Sequence, residues 1–300
     1  IVMLSERPQP EVYMKTVPAP PAGPVDELRR ADAHTRTALA EAVARSAALW
    51  RGIDDLDAPV PGLAWTAGQT AAHVIADMRE YTEALTRHVN GAGGGAEIPQ
   101  GSPARLRTAV NDRHLVDVAE RDPGRLADML QDTAARYLAA AAAVDPAEHA
   151  AIVTADSLVL EPAFMTSLLL GEQLAHGLDI ARAARRPWTV RREDALLVIP
   201  AMLALAPNYL RPKRTRDLSV SFELRMRGGG RYRMAIEDGA GIVTAAGQQA
   251  DCVITAGPVA FLLIGYGRVP QWPQILRGRL RAGGRRPWLA AKFGTLLASP

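Results

Sequence analysis

Glu172 and His176 stand four residues apart inside an apolar segment, P-A-F-M-T-S-L-L-L-G-E-Q-L-A-H-G-L-D-I-A-R (162–182). If that segment is a helix, the spacing sets the two side chains about 40° apart around the axis, on one face. Met165, Leu169 and Ile180 share the face, so a carboxylate and an imidazole interrupt a stripe that should be core. An isolated charge there is costly, and each group needs a partner. A metal ion would satisfy both at once. A plain i,i+4 ion pair would also account for the spacing.

The 300 residues exceed the usual size of one domain, and 48% of them are apolar, enough for two real cores. No run approaches the roughly 18–20 uninterrupted apolar residues of a membrane span. The first 23 residues are proline-rich (Pro8, Pro10, Pro18, Pro20, Pro21) and do not read as a secretory signal; a surface tail is expected. Cys252, the single cysteine, excludes an intramolecular disulfide and points to the cytoplasm. In D-C-V-I-T it reads as a small packing residue, so thiol chemistry would need a thiol from outside the chain. A net charge of +3, with Arg277, Arg279, Arg281, Arg285 and Arg286 near the end, carries few interleaved aromatics and no binding motif, which argues against nucleic acid.

The first half reads as helices. Residues 24–50 carry Leu28, Leu39, Val43 and Leu49. Thr66 and Gln69 form a capping-box pattern opening a helix to about Asn90, striped by Val74, Met78, Tyr81 and Leu85. G-A-G-G-G (91–95) is a connector, Ser102-Pro103 starts a third helix, and an alanine-rich helix follows Asp122-Pro123-Gly124. With 162–184 this predicts a bundle of four or five helices over residues 24–186. Residues 187–300 read as a second, smaller α+β domain. One helix is expected at 193–206, strands at 218–227, 231–236, 241–245 and 251–255 with G-G-G as a hairpin turn, and short helices at 258–267, 270–282 and 287–298.

Two ligands rarely hold a catalytic metal, so a third should come from another helix. His73, two turns into the capped helix between Ala72 and Val74, is the best placed of the other histidines. His34, His88, His114 and His149 have more charged surroundings or lie near helix ends. Two histidines and a glutamate with open positions suit Zn²⁺, though other divalent ions share the preference. Asp179, three residues after His176, is spaced to hydrogen-bond a ligand from outside.

W-T-A-G-Q-T-A-A-H (65–73), followed after about 100 residues by E-Q-L-A-H-G-L-D-I-A-R-A (172–183), resembles the metal-binding domain of the mycothiol-dependent maleylpyruvate isomerase family, DinB-like four-helix bundles of actinobacteria. The resemblance implies that His73, Glu172 and His176 are the metal ligands. Asp251-Cys252-Val253-Ile254, Gly257-Pro258, Phe261-Leu262-Leu263 and Gly267-Arg268 are similar in order to the family's sterol-carrier-like α+β domain. The family brings an arginine from that domain to the active site; Arg268 is the first choice here and Arg279 the second. The proline-rich start and the arginine-rich end depart from the family pattern.

The chemistry so implied is a metal-dependent isomerase or transferase that uses mycothiol as co-substrate and acts on a small electrophilic or unsaturated molecule through an activated thiolate, with arginine holding a substrate carboxylate. Two further readings remain open at this stage: a thiol-free hydrolase or cyclase of secondary metabolism using the same metal, and a non-catalytic protein that sequesters a small molecule. The partners expected are thus small molecules, with neither nucleic acid nor membrane among them.

Overall fold

The computed structural model describes residues 23–91, 103–145, 150–154 and 158–298. The proline-rich tail up to residue 22, most of the glycine connector, Ser102 and His149 lie outside the described residues. Five helices form the first half: α1 (Pro24–Trp50), α2 (Ala67–Val89), α3 (Pro103–Asp117), α4 (Pro123–Ala143) and α5 (Pro162–Ala183). Helices α1, α2, α4 and α5 make a bundle in which α1 packs on α4 and α5, α2 packs on the same two, and α3 lies against α2. Trp50, Ile75, Met78, Leu126, Leu130, Tyr137, Met165 and Leu169 fill its core.

Helix α5 is buried on nearly every side, as expected for an apolar helix enclosed by α1, α2 and a later helix. Burying Met165, Leu169, Leu170, Leu174 and Ile180 stabilises it by roughly 1.5–3 kcal/mol per side chain. That gain accommodates a helix that also carries Glu172, His176 and Asp179.

Helix α6 (Arg192–Leu205) leads out of the bundle and contributes to two cores: Ala195, Val198 and Ala201 pack with the bundle, and Ile199 and Leu203 with the sheet. A 3₁₀ turn (Ala206–Tyr209) and a short α7 (Pro212–Thr215) precede a five-stranded sheet of β3 (Ser219–Met226), β4 (Arg231–Glu237), β5 (Ala240–Ala245), β6 (Cys252–Ala256) and β7 (Leu280–Gly283), in the order β5-β4-β3-β6-β7. All pairings are antiparallel except β3 with β6. Strand β4 alternates as its sequence does, with Tyr232, Met234 and Ile236 buried and Arg231, Arg233, Ala235 and Glu237 more accessible. Gly228, at φ +65°, turns the β3–β4 hairpin. Phe261 of α8 (Pro258–Gly265) and Leu296 of α10 (Ala290–Leu296) join Phe222, Leu224 and Met234 in the second core. The architecture is the expected helical bundle followed by a smaller α+β half.

One local expectation fails, and one pairing is added that was not expected. Residues 270–282 are not one helix: α9 (Gln271–Leu276) stops at Gly278, whose φ of +66° breaks the helix, and the chain then enters β7 beside β6. Strand β1 (Ile152–Val153) pairs antiparallel with β2 (Val159–Leu160), which the sequence did not suggest. No helix among the described residues is long and apolar enough to cross a membrane.

Candidate functional site

The loop before α2 builds one wall of the site. Ala67 N–H donates to Ala58 O and Gly68 N–H to Leu56 O, while Thr66 and Gln69 cap one another as their pattern predicted. Gly68 leaves little room beside Leu56, with a Cβ there only 3.2 Å from it, so the loop closes tightly on the helix start. This fixes Trp65, whose ring centroid lies 4.9 Å from that of His73 and 6.3 Å from that of His176.

From α2 and α5, His73, Glu172 and His176 converge so that one ligand atom from each lies within 4.8 Å of the others. His176 Nε2 is 3.0 Å and His73 Nε2 3.6 Å from the same Glu172 oxygen. Both histidines are buried, at 6% and 7% exposure, and Glu172 keeps 26% of its side chain accessible. Burial pushes His73 down to about 4, outweighing the nearby Glu172 carboxylate that works to raise it. Burial also works to lower His176, yet hydrogen bonds to Asp179 and Glu172 raise it to about 9. Glu172 is itself disfavoured as an anion by burial, and the two imidazoles reverse this, holding it well below the ordinary carboxylate range.

Each imidazole is also held from behind. His176 Nδ1 lies 3.0 Å from Asp179 Oδ2. Arg268 grips Asp179 in turn, with Nη2 at 2.6 Å and Nε at 3.1 Å from Oδ2, while its Nη1 donates to Tyr266 O. Burial alone would raise the Asp179 carboxyl, but His176 and Arg268 hold it below its ordinary value. On the other side, His73 Nδ1 faces His114 Nδ1 at 3.2 Å, and His114 Nε2 lies 3.3 Å from Glu80 Oε2. His114 is only 2% exposed, although its sequence neighbourhood, with Arg113 and Asp117, is charged. The missed signal is helical phase: Val110 and Val118, four residues to either side of His114, are buried with it.

These groups open on a cavity of about 700 Å³ between the bundle and the α+β half, also lined by Tyr81, Met202, Ile254, Phe261, Tyr266 and Phe293. Arg268 reaches its wall, as do Arg211 and Arg281, which the sequence reading did not select. Arg279 does not join them; its Nη1 donates to Gln274 Oε1, 3.1 Å away. Cys252 is fully buried outside the cavity, and burial pushes its thiol up.

Residues 39–181, which hold the whole triad, match the model of the mycothiol maleylpyruvate isomerase N-terminal domain. The helical half is thus similar to this family's N-terminal domain. Beyond the family domain the likeness extends through the α+β half in fold. A crystal structure of the mycothiol-dependent maleylpyruvate isomerase superposes with a TM-score of 0.50, and one of its histidine-to-alanine mutants with 0.51. In each case the match is 14% identical and covers 84% of this chain and 92% of that one. No curated protein is significantly similar in sequence.

Proposed function

We propose that the protein is a metal-dependent isomerase or transferase that takes mycothiol as co-substrate and acts on a small electrophilic or unsaturated molecule. The observation that carries this reading is the convergence of His73, Glu172 and His176 on a cavity wall within a domain similar to this family's. The donor set fits a divalent ion: two imidazoles with Nδ1 engaged from behind, one carboxylate with an accessible oxygen, and an open side toward the cavity. His73, Glu172 and His176 would hold the ion, most simply Zn²⁺, which would supply Lewis acidity that lowers the pKa of a thiol.

The chain's own residues do the rest. Its single thiol is buried away from the cavity, so the nucleophile comes from a second molecule. In an isomerisation the thiolate sulfur pair bonds to one alkene carbon, the π pair moves toward the conjugated carbonyl, the former double bond rotates, and the returning pair expels the thiolate. In a transfer the sulfur stays on the product. Trp65 covers the imidazoles, and the apolar lining excludes water and accepts a substrate's hydrocarbon part. Arg268 is committed to Asp179 and braces His176; Arg211 and Arg281 place further positive charge on the wall for a carboxylate.

The test is turnover of maleylpyruvate and related activated alkenes by Zn²⁺-loaded protein, with and without mycothiol. Thiol-dependent turnover that disappears in His176→Ala is expected. Equal turnover without any thiol would instead select a hydrolase or cyclase. The size and apolar lining of the cavity favour one further reading, non-catalytic sequestration, which chelator-insensitive ligand binding without turnover would establish.

A further inference from the structure

We propose that Glu80 and His114 form a proton-ordering line that presets His73 as a ligand, leaving its Nε2 lone pair bare toward the site. The inference rests on the reading of His73 as a metal ligand and assigns two positioning residues to that site.

The argument begins at Glu80. An ionised carboxylate only accepts hydrogen bonds, so the His114 nitrogen 3.3 Å from Glu80 Oε2 must carry a proton. A neutral imidazole has one N–H and one bare nitrogen. With its proton on Nε2, His114 presents a bare Nδ1, and the atom facing it at 3.2 Å is His73 Nδ1. Two bare nitrogens would repel at that distance, so His73 Nδ1 carries the proton and donates. The proton on Nδ1 leaves Nε2 of His73 without one, and Nε2 is the atom 3.6 Å from Glu172. The reverse polarity would set a lone pair of His114 against the Glu80 carboxylate at 3.3 Å, within hydrogen-bond reach, whereas this polarity sets that of His73 against Glu172 at 3.6 Å, beyond it.

Packing holds this line in place. His73 and Glu80 sit two turns apart on α2, and α3 lays His114 between them. Arg113, the neighbour of His114, reaches Glu80 Oε2 at 3.3 Å. The two ligands are thereby backed in parallel: Arg268 and Asp179 stand behind His176, and Arg113, Glu80 and His114 stand behind His73. A histidine interposed between carboxylate and ligand lengthens the usual carboxylate–histidine support by one ring.

Two measurements on the full chain test the proposal. In metal-free wild-type protein, ¹⁵N NMR of the imidazoles should show the Nδ1–H form of His73 and the Nε2–H form of His114. The opposite tautomers, or a doubly protonated His114 donating to His73, would overturn it. Zn²⁺ affinity, by competition with a chelator, should fall about 10–100-fold in His114→Phe. Glu80→Gln, whose amide oxygen still accepts from His114, should lose less. Wild-type affinity in a folded His114→Phe protein would also overturn the proposal. If wild-type protein bound no metal, the functional reading would fall while the tautomers still decided the proton line.

Discussion

At His176 two opposing influences meet, and their balance has a measurable consequence. Burial disfavours the imidazolium, but Asp179 and Glu172 outweigh it and raise the pKa to about 9. In metal-free protein at pH 7.5 this ring therefore holds a proton that an entering metal must displace. Binding of Zn²⁺ should release about one proton per chain there, read by calorimetry in buffers of different ionisation enthalpy. Release should fade as the pH passes about 9. The same shift sets a stability trend: a folded-state pKa above the ordinary 6.5 gives stabilisation that is full below 6.5 and lost as pH rises through about 9. Chelator-treated protein should lose that contribution across this window in denaturant titrations. Asp179 carries a different load. Only 2% of its side chain is exposed, and Arg268 is 14% exposed, so Asp179→Ala strands a nearly buried guanidinium. That should cost about 3–5 kcal/mol in urea unfolding; a change under about 1 kcal/mol, the scale of a surface pair, would contradict the bracing role.

Among the elements, α5 was the most legible because its polar residues violate an otherwise apolar pattern at helical spacing, and α2 because its cap is written in Thr66 and Gln69. Gly177, directly after His176, adds a packing constraint. A Cβ there would run into the Trp188 ring, whose Nε1–H donates to Leu174 O. Gly177→Ala should therefore destabilise by about 1–3 kcal/mol through overpacking, despite alanine's better helix propensity; thermal unfolding would show it as a lowered Tm. Less of α3 and β7 could be read. His114 acquires meaning only from α2, an element remote in sequence, and charged neighbours concealed its buried phase. Leu276 and Leu280 are spaced as on a helix, and only pairing with β6 turns the second of them into a strand residue.

At the scale of the molecule, α6 ties the two halves together. It feeds Ala195 and Val198 into the bundle core and Ile199 and Leu203 into the sheet core, and Ser167 of α5 donates to its Leu197 carbonyl. Neither core can be dismantled without removing one face of that helix. Metal-free protein should accordingly unfold in a single calorimetric transition, and two separated endotherms would contradict the shared helix. The order of helical and alternating segments made both halves visible in sequence, whereas the cavity between them is lined by residues of both halves, α8 and α9 among them, and so left no local signature. The central claim is that His73, Glu172 and His176 make one metal site, and its most direct test is elemental analysis of purified wild-type, His73→Ala and Glu172→Ala proteins. About one divalent ion per chain is expected in the first and nearly none in the variants; equal metal content in all three, with the fold intact, would contradict it.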